Sequence, residues 1–200
     1  MNNKQLLLTT LAFSLLSLPS SAAAINLMPD GINLGIGQSL FKKADLSREA
    51  VALRWDWNRD FMTTPNWRLD GYFELGYSQW RSHLSSSKVR SVYAADDAWQ
   101  VSFAPVFRLQ PEQFSGEFTP FFDFGVGLSY QSDNNIEQER LSAINMGGHG
   151  QFEIRAMIGV QLGVSKQFEI AYGWHHYSNA YLRDENEGLD FQSLHVHYRW

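Results

Sequence analysis

A short segment near the C-terminus collects the residue types of a serine hydrolase. Within fifteen positions the chain offers an imidazole, a hydroxyl, two amides and a carboxylate, from His176, Ser178, Asn179, Asn186 and Asp190. A serine hydrolase needs a hydroxyl nucleophile, a histidine base, an acid that orients the base, and donors for the oxyanion. The segment therefore predicts ester hydrolysis, provided that the fold brings these groups together.

The N-terminal residues predict export. Lys4, an apolar run from Leu6 to Leu18 and small residues up to Ala24 are typical of a secretory signal peptide, because the run is too short to cross a bilayer. We therefore expect a signal peptide over residues 1–24, with cleavage after Ala24 or Ala23. A single domain is then expected over residues 25–200.

The composition narrows the class of protein. The chain has no Cys, so it has neither a disulfide framework nor a thiol nucleophile. A net charge of −5 without a basic stripe argues against a nucleic-acid partner. Aromatic residues make up 14% of the chain and include 7 Trp, and such rings concentrate where lipid meets water. An exported, aromatic-rich chain of this kind predicts an outer-membrane barrel.

Apolar and polar residues alternate with a period of two in segment after segment. The even positions are mostly apolar and the odd ones small or polar in Phe122–Tyr130, Phe152–Leu162 and Leu194–Trp200, which is the period of a β-strand. The apolar faces are bulky, as a lipid-facing wall should be. We predict an all-β fold, an eight-stranded antiparallel transmembrane β-barrel with strands over 31–42, 48–58, 67–80, 97–109, 118–131, 149–163, 166–178 and 189–200.

The polar faces of these segments carry nearly balanced charge. They contain five cations and six anions, namely Arg54, Asp56, Arg68, Asp70, Glu74, Arg108, Asp123, Glu153, Arg155, Glu169 and Arg199. Enclosed in one lumen, such groups can neutralise one another. A barrel of eight strands is filled by its own side chains, so a wide pore is not expected.

Strand parity places the candidate catalytic groups on one surface. Continuing the alternation of 166–178, His176 and Ser178 project outward and His175 projects into the lumen. The parity of the last segment puts Asp190 on the same outer face. Residues two apart on a strand are separated by roughly 6.6 Å, which lets an imidazole lean towards a serine hydroxyl. At the barrel rim a charged group costs only about 0–1 kcal/mol, so we expect the site there.

The spacing of these residues resembles the signature of a known family. His-x-Ser-Asn followed by Asn-x-Gly-x-acid is similar to the motif of the lipid A 3-O-deacylase (PagL) family of eight-stranded outer-membrane barrels. The resemblance implies that His176, Ser178 and Asp190 form the triad. It also implies that Asn186 serves the oxyanion, with Asn179 and Gly188 in support. The family pattern has Glu at the acid position, where this chain has Asp190.

The resemblance also implies a substrate and a location. The substrate would be lipid A in lipopolysaccharide, from which the enzyme removes the 3-O-linked acyl chain, with no cofactor and no metal. The protein would lie in the outer membrane of a Gram-negative bacterium, among outer-membrane lipid, with its site towards the outer leaflet. The sequence leaves open whether the barrel forms a homodimer.

Other functions are compatible with parts of the pattern. A non-catalytic barrel, acting as an adhesin or structural protein, would account for the strands but not for the shared parity of the three catalytic types. An outer-membrane phospholipase would use similar chemistry on another lipid. The inward histidines His175, His195 and His197 could suggest a metal site, but a polar lumen needs donors and acceptors in any case.

Overall fold

The protein is built from eight long strands. The computed structural model describes residues 27–40, 44–83, 94–114, 116–136 and 144–200, so the predicted signal peptide lies outside the described residues. The strands are β1 Gly31–Ser39, β2 Leu46–Asp56, β3 Trp67–Ser82, β4 Asp97–Pro111, β5 Phe118–Gln131, β6 Gly150–Leu162, β7 Phe168–Ser178 and β8 Leu189–Arg199.

The strands close into an antiparallel barrel. Each strand pairs with its neighbours in the chain, β8 pairs with β1, and β2 pairs with β3, so every long strand has a partner on both sides. The predicted closed eight-stranded fold is therefore confirmed. Strands β3 and β4 run two residues further than predicted, because Ser82 pairs with Leu46 and Pro111 pairs with Trp67. Strand β1 ends three residues earlier than predicted, at Ser39.

Short pairings extend the connections at both ends of the barrel. Met62–Thr63 pairs with Arg68 and Leu69 of β3. Asn135–Ile136 pairs with Ile144–Asn145 in the connection between β5 and β6. Among the residues that the structure describes there is no helix with the length and apolarity of a membrane span.

The lumen holds a buried network of ion pairs. The Arg108 guanidinium donates to Asp123 at 2.8 Å and to Glu169 at 2.5 Å. Arg155 bonds the carboxylates of Glu74 and Glu153. These side chains are at most 5% exposed, and buried charges require such partners. The expectation that the polar faces neutralise one another inside the barrel is confirmed here.

One end of the barrel, which we call the site end, is the end at which His176 and Asp190 lie. An apolar cluster fills the lumen there. Its largest rings are those of Trp80, Tyr177 and Phe191; the Trp80 centroid lies 5.1 Å from Tyr177 and 5.0 Å from Phe191. Leu46 and Leu189 pack in the same cluster. Two cavities inside the described barrel have volumes of only about 20 and 10 Å³, so side chains fill the interior there. Strands β7 and β8 are thus supported from within beneath the site.

Candidate active site

His176 and Asp190 meet across two neighbouring strands. They are direct partners in the antiparallel register of β7 and β8, and cross-strand partners project from the same face of a sheet. The His176 Nδ1 lies 2.9 Å from Asp190 Oδ1. Their side chains are 27% and 23% exposed, so the pair is partly desolvated but open on the outer surface. A carboxylate on Nδ1 fixes the tautomer and leaves Nε2 as the base.

Trp174 contributes a second donor to the same carboxylate oxygen. Its indole N–H donates to Asp190 Oδ1 at 3.0 Å, and its ring stacks on that of His176 with centroids 5.8 Å apart. Trp174 was not among the catalytic residues predicted from the sequence. The available signal was its parity, because a residue two positions before His176 on a strand shares its face.

Ser178 lies on the same outward face, at the end of β7. It is opposite Phe152 of β6 and half-buried. Within the described residues no hydrogen bond engages its hydroxyl, and none joins it to the His176 ring, so the predicted contact is absent from this structure. Catalytic hydrogen bonds often form only when the substrate is bound. The strand geometry brings Ser178 to the same surface as the His176–Asp190 pair.

The connection from β7 to β8 holds Asn186 by its oxygen. The backbone N–H of Asn179 donates to Asn186 Oδ1 at 2.8 Å. The Asn179 side chain is buried, and its amide donates to the carbonyls of Met146 at 2.9 Å and Glu185 at 2.5 Å. The Oδ1 of Asn186 is therefore engaged, whereas its Nδ2 donates no hydrogen bond to any residue that the structure describes. An anchored amide with an unengaged N–H is suited to an oxyanion donor.

Two further contacts join the connection between β7 and β8 to other parts of the barrel. Glu187 forms two hydrogen bonds with the backbone of Asn145, in the connection between β5 and β6. Its N–H donates to the Asn145 carbonyl at 3.0 Å, and its carboxylate accepts the Asn145 N–H at 2.7 Å. Gly188 lies so close to His176 that a Cβ at this position would be 2.7 Å from the ring Cε1. Only glycine allows that approach without moving the imidazole.

The inward histidines are separated from this site by the barrel wall. His175 is buried, with Nδ1 3.0 Å from Glu153 Oε1 and Nε2 3.1 Å from His195 Nε2. The predicted opposite orientation of His175 and His176 is therefore confirmed. Across the described ranges of the chain no group of three or more His, Cys, Asp or Glu side chains is arranged to hold a metal ion.

Comparison with known proteins identifies the family. The sequence profile described as "Lipid A 3-O-deacylase (PagL)" matches residues 32–199. The chain is 30% identical over 145 residues to the lipid A deacylase PagL of Pseudomonas aeruginosa, covering 72% of this chain and 73% of that protein. It is 28% identical over 194 residues to the lipid A deacylase PagL of Bordetella bronchiseptica, covering 94% of each.

A solved structure shares the fold. The crystal structure of the outer membrane enzyme PagL superposes with a TM-score of 0.68 at 24% identity, covering 85% of this chain and 99% of that one. The closed eight-stranded barrel described above is thus the fold of that enzyme. The chain belongs to the lipid A 3-O-deacylase (PagL) family, and it is an ester-hydrolysing enzyme of the outer membrane.

Proposed function

We propose that this enzyme hydrolyses the 3-O-linked acyl ester of lipid A with Ser178 as nucleophile, His176 as general base and Asp190 as orienting acid. The observation that carries the proposal is the 2.9 Å contact between His176 Nδ1 and Asp190 Oδ1, on the face that also presents Ser178. Buried or partly buried carboxylate–imidazole pairs beside a serine are the arrangement that activates a hydroxyl.

The reaction proceeds in two steps. His176 Nε2 takes the proton of Ser178 as Oγ attacks the ester carbonyl, and it returns that proton to the departing 3-hydroxyl of the sugar. Water, deprotonated by the same nitrogen, then attacks the acyl-serine. His176 returns that proton to the departing Oγ of Ser178, which releases the fatty acid and restores the enzyme. Asp190 remains ionised throughout and stabilises the imidazolium formed in each step.

Asn186 supplies the charge stabilisation in this scheme. The carbonyl oxygen becomes an anion in each tetrahedral intermediate, and an N–H donor aimed at it lowers the barrier. The anchoring of Asn186 Oδ1 by the Asn179 N–H orients the amide before substrate arrives. Asn179 and Gly188 support the site, by holding the connection and by leaving room for the imidazole.

The position of the site on the barrel suits a lipid substrate. The outward face of β7 below His176 is apolar and exposed, with Ile170 and Tyr172 at 42% and 51%. An ester located where acyl chains meet the sugar headgroup can therefore reach Ser178 from the outer leaflet without leaving the membrane. The substrate partner is lipid A within lipopolysaccharide, in the surrounding outer-membrane lipid.

The test is the Ser178→Ala variant, with Ser193→Ala as its control. Ser193 is a buried, lumen-facing serine of β8, so its replacement removes a hydroxyl from the inner face of the barrel. We expect wild type and Ser193→Ala to release the 3-O-linked acyl chain from lipid A, measured by mass spectrometry, and Ser178→Ala to release none. Unchanged deacylation by Ser178→Ala would refute the assignment.

The same assay with a glycerophospholipid of equal chain length tests the substrate. We expect release of fatty acid from lipid A and none from the phospholipid. Faster release from the phospholipid would contradict lipid A as the substrate while leaving the proposed catalytic groups intact.

A further inference from the structure

Two connections meet at the site end of the barrel. One joins β5 to β6 and contains residues 145–148, which we call the clamp turn. The other joins β7 to β8 and carries Asn186, the proposed oxyanion donor. Residues 179–188 of this second connection belong to no strand or helix, so its conformation depends on contacts with neighbouring segments rather than on a backbone ladder.

The clamp turn is anchored from inside the barrel. The side chain of Met146 is fully buried in the apolar cluster of the site end, and its N–H donates to the Asn134 carbonyl at 2.8 Å. The buried amide of Gln151, on β6, donates to the Met146 carbonyl at 3.0 Å and to the Gly148 carbonyl at 2.6 Å. The barrel and its apolar filling therefore hold the clamp turn in place.

The clamp turn contacts the residues immediately before and after Asn186. Gly147 packs against the residue before it: a Cβ at Gly147 would overlap the carbonyl oxygen of Glu185 and lie 2.8 Å from its carbonyl carbon. Asn145 bonds the residue after it, through the two hydrogen bonds of 3.0 and 2.7 Å with Glu187. Asn186 is thus held from both sides by one anchored turn.

Two features require glycine at position 147. Its φ is +71°, in the left-handed region that favours glycine, and its N–H donates to Asn145 Oδ1 at 2.9 Å, which closes the turn. The space that a Cβ would need is filled by the backbone of Glu185 and by the side-chain nitrogen of Asn179. A larger residue would therefore push the two connections apart.

We propose that the clamp turn positions the Asn186 amide for the oxyanion, with Gly147 and Glu187 as the positioning residues. The inference rests on the proposed function, because it assigns both residues a role that acts through Asn186. An oxyanion donor is effective when it is oriented before the charge develops, and misplacement of a catalytic group by about 1 Å can cost about 10² in rate. Neither residue has to touch the substrate to produce this effect.

Gly147→Ala tests the contact with Glu185. The added methyl must displace one of the two backbones, so we expect kcat for acyl release from lipid A in detergent micelles to fall by about 10²-fold. KM should stay unchanged, because the oxyanion exists only after attack on the ester. Gly163→Ala is the matched control: Gly163 has the same φ of +71°, in the turn between β6 and β7, and nothing that the structure describes lies within 4 Å of a Cβ there. Equal kcat values for the two variants would overturn the role of Gly147.

Glu187→Ala tests the other contact without adding atoms. It removes the acceptor of the Asn145 N–H, and one such hydrogen bond shifts an equilibrium by about threefold to tenfold, so we expect kcat to fall by that factor. Glu187→Gln keeps a side-chain acceptor and should recover most of the rate. Asp184→Ala removes an exposed carboxylate from the same connection and should leave kcat unchanged. Equal losses in Glu187→Ala, Glu187→Gln and Asp184→Ala would show an effect of charge and overturn the role of Glu187.

A double variant separates positioning from general disturbance of the site. If Gly147 acts through Asn186, Gly147→Ala should cost nothing more once Asn186→Ala has removed the amide, because residues that act as a unit are not additive. A further loss of about 10²-fold in the double variant would show that Gly147 acts through another group, and the inference would be wrong. The same comparison is made for Glu187→Ala, which keeps the test valid if Gly147→Ala does not fold.

Failure of this inference can be distinguished from failure of the proposed function. Ser178→Ala and Asn186→Ala are assayed in parallel on the same lipid A. Activity in Ser178→Ala, or wild-type kcat in Asn186→Ala, would contradict the proposed function and the inference that rests on it. Wild-type kcat in Gly147→Ala and Glu187→Ala, with Ser178→Ala inactive and Asn186→Ala slow, would overturn the positioning role alone. Heat-modifiable mobility in gels verifies that each variant forms the barrel.

Discussion

The carboxylate of Asp190 and the imidazole of His176 face each other directly across β7 and β8, with Oδ1 2.9 Å from Nδ1. The backbone ladder of the barrel sets this pairing, so both members sit on strands. A site built on strands is held more closely to its working geometry than one built on loops.

Two replacements of Asp190 test the charge of its side chain and the length of its side chain separately. Asp190→Asn should lower kcat by about 10⁴, because an amide favours the wrong tautomer of His176. Asp190→Glu keeps the charge and the acceptor, so it should stay within about tenfold of wild type. Both are measured as the rate of acyl release at neutral pH. Equal rates for Asp190→Asn and Asp190→Glu would show that the contact between residue 190 and His176 does not orient the imidazole.

Trp174→Phe tests the second donor to that carboxylate. The change keeps a ring against His176 and removes only the N–H bonded to Asp190. We expect kcat to fall by about threefold to tenfold, the worth of one charge-assisted hydrogen bond at a half-exposed site, with KM unchanged. Tyr172→Phe is the control, since it removes a donor to Gln192 on the same face and the same two strands. A parallel loss in both variants would point to general disturbance of the strands.

Asn186→Asp distinguishes anchoring from catalysis. An aspartate still accepts the Asn179 N–H but replaces the free amide N–H with an anion. We expect kcat to fall by about 10²- to 10³-fold while the barrel keeps its stability. Asn186→Ala removes both functions and should lose at least as much. Wild-type kcat in Asn186→Asp would exclude an oxyanion role for this amide.

Gly188→Ala should disturb the base without unfolding the protein. The added Cβ would lie 2.7 Å from His176 Cε1, so the ring must shift, and misplacement of a catalytic group by about 1 Å can cost about 10² in rate. Gly150→Ala is the matched control, because nothing lies within 4 Å of a Cβ there. Equal kcat values for Gly188→Ala and Gly150→Ala would show that catalysis does not require the close approach of Gly188 to the His176 ring.

Arg108→Ala probes stability rather than activity. It removes an ion-pair partner of Asp123 and of Glu169. Glu169 keeps Arg54 at 3.0 Å, whereas Asp123 loses its ion pair among the described residues while still buried, which should lower the free energy of unfolding by about 3–5 kcal/mol. Arg81→Ala breaks an ion pair with Glu49 whose side chains are 56% and 60% exposed, and it should cost about 0–1 kcal/mol. Urea unfolding in micelles, followed by tryptophan fluorescence, measures both.

The eight strands and the two faces of each could be predicted because the side-chain period of a strand is two. Once Ile170 and Tyr172 are assigned to the lipid side, His176 must follow them and His175 must face inward. The residues on the polar faces could be named in the same way. Which cation pairs with which anion could not, because Arg108 and Glu169 belong to strands that are not neighbours.

The contacts of Trp174, and those made by the connection after Ser178, could not be predicted from the sequence either. Trp174 meets Asp190 because of the register between β7 and β8, and that register depends on every pair in the ladder. Asn179 reaches Met146, 33 positions earlier in the chain, so its contact depends on how two connections pack.

The amino-acid sequence by itself determined the barrel class, the surface on which His176, Ser178 and Asp190 lie, and the chemistry that these residue types allow. These follow from local periodicity and from the spacing of a short motif. The tertiary structure alone decided that Asp190 and His176 are in contact, how Asn186 is anchored, and that Gly188 lies against the His176 ring. Those relationships arise from strand register and from packing between distant segments, which no local pattern encodes.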